Sequence, residues 1–367
     1  MPILVKPYLG CNLKCKYCYE GEYRKTHECK TYDLDKVIDA IEKNYDPKRQ
    51  KDITLHGGEP LCLPKADAER ILAKSFELTQ KSSVQTNGTL IDDDFIEMFR
   101  KYKTHVGISL DGDNGLSRFR FNADTETKII ETIDKMKSLG IGVSIIAVVS
   151  RSNAETDEQL SLFKRFLLEM SKRGIGGRVN PCGLNGDMSV ELPPERMAEV
   201  YRQLTLFCVL NGLTWSPFSD LASKLNCGSA VCCFQGCDLY CTDSAFVILG
   251  DGTVTNCMRT NGDDICLRAE SKSAIRSKVL QSVPIEYGGC KDCEYWQYCM
   301  GGCPTTAIDG DWRNRTEFCV VWKSIIQTLQ MVKRLTDYKM PGGTSGSHLN
   351  QHKDNPHIDH NNTAGRM

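Results

Sequence analysis

Residues 1 to 180 alternate short runs of β-branched and other apolar residues with longer amphipathic stretches. This alternation is typical of repeated βα units around a parallel sheet. The apolar runs predict six strands, at 3–6, 52–56, 83–86, 106–110, 143–149 and 177–181. The amphipathic stretches predict helices at 33–43, 65–78, 92–102, 125–139 and 156–173. We therefore expect an α/β fold, a partial (β/α)6 TIM-like barrel, in which ligands bind at the carboxyl ends of the strands.

The pattern changes after residue 193. A helix is predicted at 195–210, then a stretch rich in cysteine, glycine and turn residues with little periodicity, and a last helix at 321–335. Such a stretch needs something other than a large apolar core to hold it together. The polar residues after 340 predict a disordered tail. The expected organisation is a barrel at 1–190, a helical bridge at 191–226, a small loop-rich domain at 227–339 and a tail at 340–367.

Composition and charge exclude several partners and compartments. The 367 residues include 46 basic and 47 acidic side chains, and a net charge of −1 favours neither nucleic acid nor a membrane surface as partner. No segment approaches the roughly 20 apolar residues of a membrane span, and Lys6 and Pro7 interrupt any signal-peptide core. We therefore expect a cytoplasmic protein with reduced thiols, whose odd number of 19 cysteines favours metal ligation over disulfides.

Three cysteines follow the first predicted strand at a C-x3-C-x2-C spacing: Cys11, Cys15 and Cys18. Three thiolates on one loop suit a [4Fe–4S] cluster, because they bind three irons and leave the fourth open to a small molecule. The alternative is a zinc knuckle that takes a fourth ligand from His27 or Cys29. The open iron predicts a reactive centre, whereas the zinc site would be structural.

The triad, with Tyr17 before its third cysteine, resembles that of the radical S-adenosylmethionine (SAM) superfamily. A GGEP segment at the end of the second strand, QTNGTL at 85–90 and SLDG at 109–112 resemble strand-end segments of the same family. The resemblance implies that the GGEP segment binds the methionine amino group, and that Ser109 and Arg120, or Arg118 instead of Arg120, hold the SAM carboxylate. The implied cofactor-binding residues are Tyr17, Gly57, Gly58, Glu59, Pro60, Ser109 and Arg120.

A second cysteine array follows a predicted hairpin whose turn is formed by Asp251 and Gly252. Its C-x2-C-x5-C-x3-C core and a later cysteine are similar to the SPASM domain of radical SAM enzymes, which implies two auxiliary [4Fe–4S] clusters. One would use Cys241, Cys257 and Cys303 with one of Cys227, Cys232, Cys233 or Cys237, of which Cys237 is favoured by its C-x3-C spacing to Cys241. The other would use Cys290, Cys293, Cys299 and Cys319. Two structural zinc sites are the alternative.

The resemblance implies a maturase in which a 5′-deoxyadenosyl radical removes hydrogen from a peptide or protein and leaves an oxidative modification, such as a thioether or C–C cross-link. Implied partners are a ribosomally made precursor peptide and an electron donor such as flavodoxin or ferredoxin. Sulfatase-maturing relatives carry an aspartate where this chain has Met258, which argues against formylglycine formation. The alternatives are an oxidoreductase of a small metabolite and a non-catalytic iron–sulfur or zinc protein. Cys182 is either a core residue or faces the cavity.

Overall fold

The computed structural model describes residues 2–21, 24, 31–49, 52–183, 188–228, 234–238, 246–255, 257 and 275–336. Eight strands form one sheet in the order β6-β5-β4-β3-β2-β1-β7-β8. They are β1 Ile3–Tyr8, β2 Ile53–Gly57, β3 Ser82–Thr86, β4 Thr104–Ser109, β5 Val143–Val149, β6 Gly177–Pro181, β7 Phe246–Leu249 and β8 Val254–Thr255. The first six run parallel in sequence order, which confirms the α/β fold with its parallel sheet.

The predicted helices between these strands lie within two residues of their predicted ends, and one further turn of helix, α5 Arg151–Ala154, was not predicted. They are α1 Leu34–Asn44, α2 Lys65–Thr79, α3 Asp93–Lys101, α4 Ala123–Ser138, the single turn α5 Arg151–Ala154 and α6 Asp157–Lys172. Polar caps determine where several of them begin. The Asn122 side chain accepts a hydrogen bond from the Thr125 N–H, so α4 begins at Ala123, two residues before the predicted start.

The two faces of the sheet differ in polarity. Apolar strand residues such as Ile3 and Leu55 join helix residues such as Val37 in one buried core. Because side chains alternate along a strand, polar residues such as Lys6 and Gln85 lie on the opposite face. Parallel strands buried on both faces are usually apolar throughout, so the alternation here indicates a polar interior.

The carboxy-terminal region adds to both the sheet and the core. Strand β7 pairs in parallel with β1, and β8 returns antiparallel to β7, as the predicted hairpin requires. The further helices are α7 Pro194–Leu210, α8 Phe218–Leu225, α9 Ile275–Ser282, the single turn α10 Trp296–Cys299 and α11 Cys319–Thr336. Helix α11 packs on α7, where the Ser324 hydroxyl donates to the Ala198 carbonyl at 2.8 Å. The predicted tail lies outside the described residues, and no helix in the described part could cross a membrane.

Candidate active site

The first candidate site is the loop that follows β1 and carries Cys11, Cys15 and Cys18. Donors from the chain already point at its sulfurs: the Leu13 N–H lies 3.3 Å from Cys11 Sγ and an Arg24 N–H group 3.1 Å from Cys18 Sγ. The pKa of Cys15 is raised to about 11, chiefly by burial. The neighbouring thiolates of Cys18 and Cys11 contribute to the rise, and the Arg120 charge opposes it. The three thiols therefore lie in one partly buried site. Bound cations would allow all three to be thiolates at once, because they offset the cost of burial and the mutual repulsion of the negative charges.

These thiols fit an iron–sulfur cluster better than a single ion. Within the described ranges, no group of three or more His, Cys, Asp and Glu side chains is arranged to hold one metal ion. A cubane binds each thiolate through a different iron, so its ligands stand farther apart than those of zinc. The fourteen cysteines in the described ranges form no disulfides with one another. His27 and Cys29, the proposed extra zinc ligands, lie outside the described residues.

The glycines of the GGEP segment lie against the triad loop. The Gly58 N–H donates to the Tyr8 carbonyl at 3.0 Å, and the Glu59 N–H donates to the Gly10 carbonyl at 2.8 Å. A Cβ atom on Gly58 would stand 2.2 Å from the Leu9 carbonyl oxygen, so only glycine fits there. The close approach of two backbones is therefore one reason for these glycines, and their predicted contact with a ligand ammonium remains a prediction.

The Glu59 carboxylate is held by the chain itself. It accepts hydrogen bonds from the Thr86 hydroxyl at 2.7 Å, from the Asn87 N–H at 2.6 Å and from the Leu61 N–H at 3.0 Å. Burial raises the pKa of Glu59, and these three donors oppose that shift. Glu59 thus joins the end of β2 to the end of β3, while Pro60 opens the single 3-10 turn that follows.

Polar side chains after β3 extend this connection to the triad. Asn87 Nδ2 donates to Asn12 Oδ1 at 2.9 Å and lies 3.9 Å from Cys11 Sγ. The Asn12 amide in turn donates to the Thr89 hydroxyl at 2.8 Å. The QTNGTL segment therefore positions the first cysteine of the triad, a role that sequence reasoning did not assign to Asn12 or Asn87.

A buried aspartate organises the other side of the site. Asp111, fully buried after β4, accepts hydrogen bonds from the Tyr17 hydroxyl, from Arg120 Nε at 2.9 Å and from the Val148 N–H at 2.7 Å. Arg120 also lies over the Tyr17 ring, 5.1 Å from its centroid. Arg118 instead donates to the backbone carbonyls of 151 and 152. Of the two arginines, Arg120 is the one beside the triad.

Two further residues face this region. Gln85, on β3, donates to the Ser109 hydroxyl on β4 at 3.3 Å, so both lie on the polar face of the sheet. Cys182, at the end of β6, is buried with Tyr17 and Val190, and Cys15 packs against this cluster. Gln85 was missed although its place in the strand alternation indicates an inward side chain. The prediction that Cys182 faces the cavity is supported by these contacts, whereas a catalytic role for it is untested.

Four cysteines of the carboxy-terminal region line one small cavity, which is partly open to solvent. They are the four that the sequence assigned to one auxiliary cluster: Cys290, Cys293, Cys299 and Cys319. The pKa of Cys290 is raised to about 12, chiefly by burial and in addition by the thiolates of the other three cysteines. Their donor set and shared cavity fit a four-cysteine cluster.

The predicted ligands of the other auxiliary cluster are only partly described. Cys303 is separated from Cys299 by three consecutive residues with positive φ, 300–302, which reverse the chain direction. Arg276 donates to the carbonyl of Cys237 at 3.2 Å and to that of Gly302, the residue before Cys303, at 3.0 Å, so it connects these two segments; that Cys237 and Cys303 share a cluster remains a prediction. Cys257 follows β8 and Cys227 is exposed. Cys232, Cys233, Cys241 and Met258 lie outside the described residues.

Residues 5–163 match the radical SAM superfamily. Over 333 residues the chain is 23% identical to a cysteine-type anaerobic sulfatase-maturating enzyme of Clostridium perfringens, covering 83% of this chain and 88% of that protein. A serine-type anaerobic sulfatase-maturating enzyme of Bacteroides thetaiotaomicron is 33% identical over 172 residues, 42% of this chain and 40% of that protein.

Two solved structures share the fold. Native anSMEcpe with bound AdoMet and Cp18Cys peptide aligns with a TM-score of 0.69 at 21% identity, over 91% of this chain and 99% of that one. Streptococcus suis SuiB bound to its precursor peptide SuiA aligns with a TM-score of 0.57 at 17% identity, over 87% of this chain and 75% of that one. At these identities the likeness shows the fold.

The amino-terminal region, residues 5–163, is a radical SAM domain. Its cofactors are accordingly a [4Fe–4S] cluster and S-adenosylmethionine, which confirms the prediction made from the triad and the GGEP segment. The fold shared with anSMEcpe extends through the carboxy-terminal region that contains the four-cysteine cavity.

Proposed function

We propose that this protein is a radical SAM maturase that removes hydrogen from a residue of a peptide or protein and leaves an oxidative cross-link there, a thioether or a C–C bond. The observation that carries the proposal is the presence of two kinds of cysteine site in one fold: a three-cysteine loop at the strand ends and a four-cysteine cavity. When bound, the cofactors supply a 5′-deoxyadenosyl radical at the first site and an electron acceptor at the second.

At the first site, Cys11, Cys15 and Cys18 would hold three irons. Around them, the chain would orient SAM through three groups of residues. Tyr17 and Arg120 are both hydrogen-bonded to Asp111, and Ser109 is hydrogen-bonded to Gln85. The third group is the backbone of the GGEP segment. Gly57, Gly58 and Pro60 would present backbone groups, whereas Glu59 acts as a positioning residue because its carboxylate is already occupied by three donors.

In the carboxy-terminal region, the four cysteines of the cavity would hold one auxiliary cluster. Cys237, Cys241, Cys257 and Cys303 would hold the other, since Arg276 connects the backbone of Cys237 to that of Gly302, next to Cys303. A flavodoxin or ferredoxin would deliver the electron that starts each turnover, in the cytoplasm where thiols stay reduced.

A peptide substrate is supported by the relatives. anSMEcpe was solved with the Cp18Cys peptide and SuiB with its precursor peptide SuiA, and both share this fold. A second candidate, oxidation of a Cys or Ser side chain to formylglycine, is favoured by the names of the curated relatives. Met258 argues against this second reaction, because the resemblance to sulfatase-maturing enzymes implies an aspartate at this position.

The test is anaerobic turnover of the reconstituted full chain with SAM, a reductant and the precursor peptide encoded beside its gene, followed by mass spectrometry. A cross-link removes hydrogen from the peptide and retains its sulfur, whereas formylglycine formation from cysteine also removes sulfur. Iron and acid-labile sulfide, counted in the same samples, should reach about 12 irons per chain for three cubanes.

Each outcome of that experiment decides between the proposals. A peptide that loses hydrogen, keeps its sulfur and carries no aldehyde supports the cross-linking maturase. An aldehyde product supports the second candidate instead. A count of about four irons per chain would show that only one cluster is present and would contradict the two auxiliary clusters. SAM cleavage in the presence of a small metabolite, but not with any peptide, would exclude a maturase.

A further inference from the structure

Arg276, near the start of α9, is the largest buried cation of the carboxy-terminal region, with 1% of its surface exposed. Its main-chain N–H donates to the Asp238 carboxylate at 2.7 Å, which ties α9 to the segment that carries Cys237. Nothing in the cysteine spacing points to this residue. A buried arginine needs an explanation, because removing a charge from water is costly unless its donors are satisfied.

All five N–H groups of the Arg276 guanidinium donate to backbone carbonyls, which is the full donor capacity of an arginine. Nε binds the Trp312 carbonyl at 2.7 Å. The terminal nitrogens bind four more carbonyls, those of Cys237 at 3.2 Å, Gly302 at 3.0 Å, Gly301 at 3.1 Å and Asn314 at 2.8 Å. One side chain therefore fixes three separate segments of backbone.

Those segments carry the proposed ligands of both auxiliary clusters. Gly301 and Gly302 form the reversal between Cys299, which lines the four-cysteine cavity, and Cys303, which does not. A Cβ atom on Gly301 would stand 2.4 Å from Leu280 Cδ1 of α9, so the reversal is packed directly against the helix that carries the arginine. Moving Arg276 would thus displace cysteines of both sites.

The charge of Arg276 lies close to the same thiols. Its guanidinium donates to the carbonyl of Cys237 at 3.2 Å and to that of Gly302, the residue before Cys303, at 3.0 Å. Because its hydrogen bonds go to neutral carbonyls, the positive charge remains available to act on whatever those thiolates bind. A nearby positive charge stabilises the more negative, reduced state of a cluster and so raises its reduction potential.

We propose that Arg276 is a positioning residue that joins the two auxiliary sites and, through its buried charge, sets the reduction potential of the cluster held by Cys237 and Cys303. This inference rests on the proposed auxiliary clusters. In turnover the residue would favour transfer of the electron left on the substrate to that cluster. Neither the residue nor its role was visible in the sequence motifs.

The test compares Arg276→Gln and Arg276→Lys in the full chain, in a background where Cys11, Cys15 and Cys18 are alanine so that only auxiliary clusters remain. The readouts are iron and sulfide content and a potentiometric titration followed by electron paramagnetic resonance. Arg276→Gln should lower the midpoint by at least about 59 mV, a tenfold change in a one-electron equilibrium. Arg276→Lys should keep the parent midpoint while losing part of its iron, because it retains the charge with fewer donors.

Arg313→Gln is the matched control, because Arg313 is exposed in the neighbouring loop and its guanidinium pairs with Asp311. It should leave both readouts unchanged. An Arg276→Gln variant with the parent iron content and midpoint overturns the inference. If that variant does not fold, a lowered midpoint in Arg276→Lys overturns it. If the parent protein, in which Cys11, Cys15 and Cys18 are alanine, contains no iron, then the auxiliary clusters of the proposed function are absent. The proposed role of Arg276 is overturned in that case as well.

Discussion

The two cysteine regions of this protein are built in different ways. The triad loop lies at the ends of parallel strands, where Glu59 connects β2 to β3 and Asp111 connects β4 to β5. The four-cysteine cavity lies among short helices and left-handed turns, and its neighbouring backbone segments converge on Arg276. The sheet therefore holds the first site in place without its ligand, whereas the second relies on one arginine and on what its cysteines bind.

This difference teaches where cofactor loss should affect the fold. A site supported by a buried apolar core keeps its shape when its ligand is absent. A loop-rich region that is held by metal ligation gains much of its folding free energy from that metal. The following experiments test this contrast, from the largest expected effect to the smallest.

Replacing Cys11, Cys15 and Cys18 together by alanine should abolish SAM cleavage, because no thiolate remains to hold the reactive cluster. The iron content should fall from about 12 to about 8 per chain. The thermal unfolding midpoint should change little, since the strands around the loop are tied by their own hydrogen bonds. Production of 5′-deoxyadenosine, iron analysis and calorimetry measure the three effects. A large drop in the unfolding midpoint would contradict the view that the sheet holds the triad loop in place without its cluster.

Replacing Cys290 and Cys299 by alanine should have the opposite profile. The chain should lose about four irons and become sensitive to protease between 275 and 336, while SAM cleavage without peptide continues. Limited proteolysis with mass spectrometry locates the cut sites. Cys208→Ala, in the buried face of α7, is the control for removing a buried thiol that is not a proposed ligand. Equal protease resistance of the double variant and the parent would show that the cavity folds without its cluster.

Asp111→Ala should destabilise the barrel by about 3–5 kcal/mol, because it leaves the buried Arg120 charge without its partner. It should also weaken SAM binding, since Tyr17 and Arg120 lose their common anchor. Chemical denaturation and SAM titration measure the two effects. The exposed Asp124→Asn, in the first turn of α4, serves as the control. A stable variant with parent SAM affinity would remove Asp111 from the positioning network.

The smallest effect concerns pH. The pKa of His56 is lowered to about 4, chiefly by burial and in addition by the nearby Lys6 charge. Since the unfolded imidazole titrates near about 6.5, the unfolded state binds more protons between these values. Stability should therefore be complete above the unfolded pKa and fall as the pH drops towards about 4. His56→Gln should flatten this decline in urea titrations, whereas His105→Gln, at an exposed position of β4, should not.

Much of the barrel could be predicted because its elements follow local rules. Caps such as Asn122 and alternation along the strands place each element within two residues of its predicted ends. Helices α5, α8, α9 and α10 were not predicted, because all four are short and their stability comes from packing rather than from a long periodic pattern. The pairing of β7 with β1 was also not visible, since it joins segments separated by more than two hundred residues.

The candidate site shows the same division. The triad and the GGEP segment are readable because their chemistry depends on residues a few positions apart. The choice between Arg118 and Arg120 was not readable, because both follow the same strand and only the fold brings Arg120 to Asp111. Asn12 and Arg276 escaped notice because polar residues of their types are common on surfaces, and their partners lie far away in sequence.

The sequence by itself determined the order of the main strands and helices of the barrel, the resemblance to the radical SAM superfamily and the groups of cysteines, because periodicity and short motifs are local properties of a chain. Only the tertiary structure decided which side chains hold those groups in place. It brought Asp111 to Arg120, placed four cysteines around one cavity and surrounded Arg276 with five carbonyls. These contacts depend on long-range packing, in which the position of each group is set by residues that no local pattern connects.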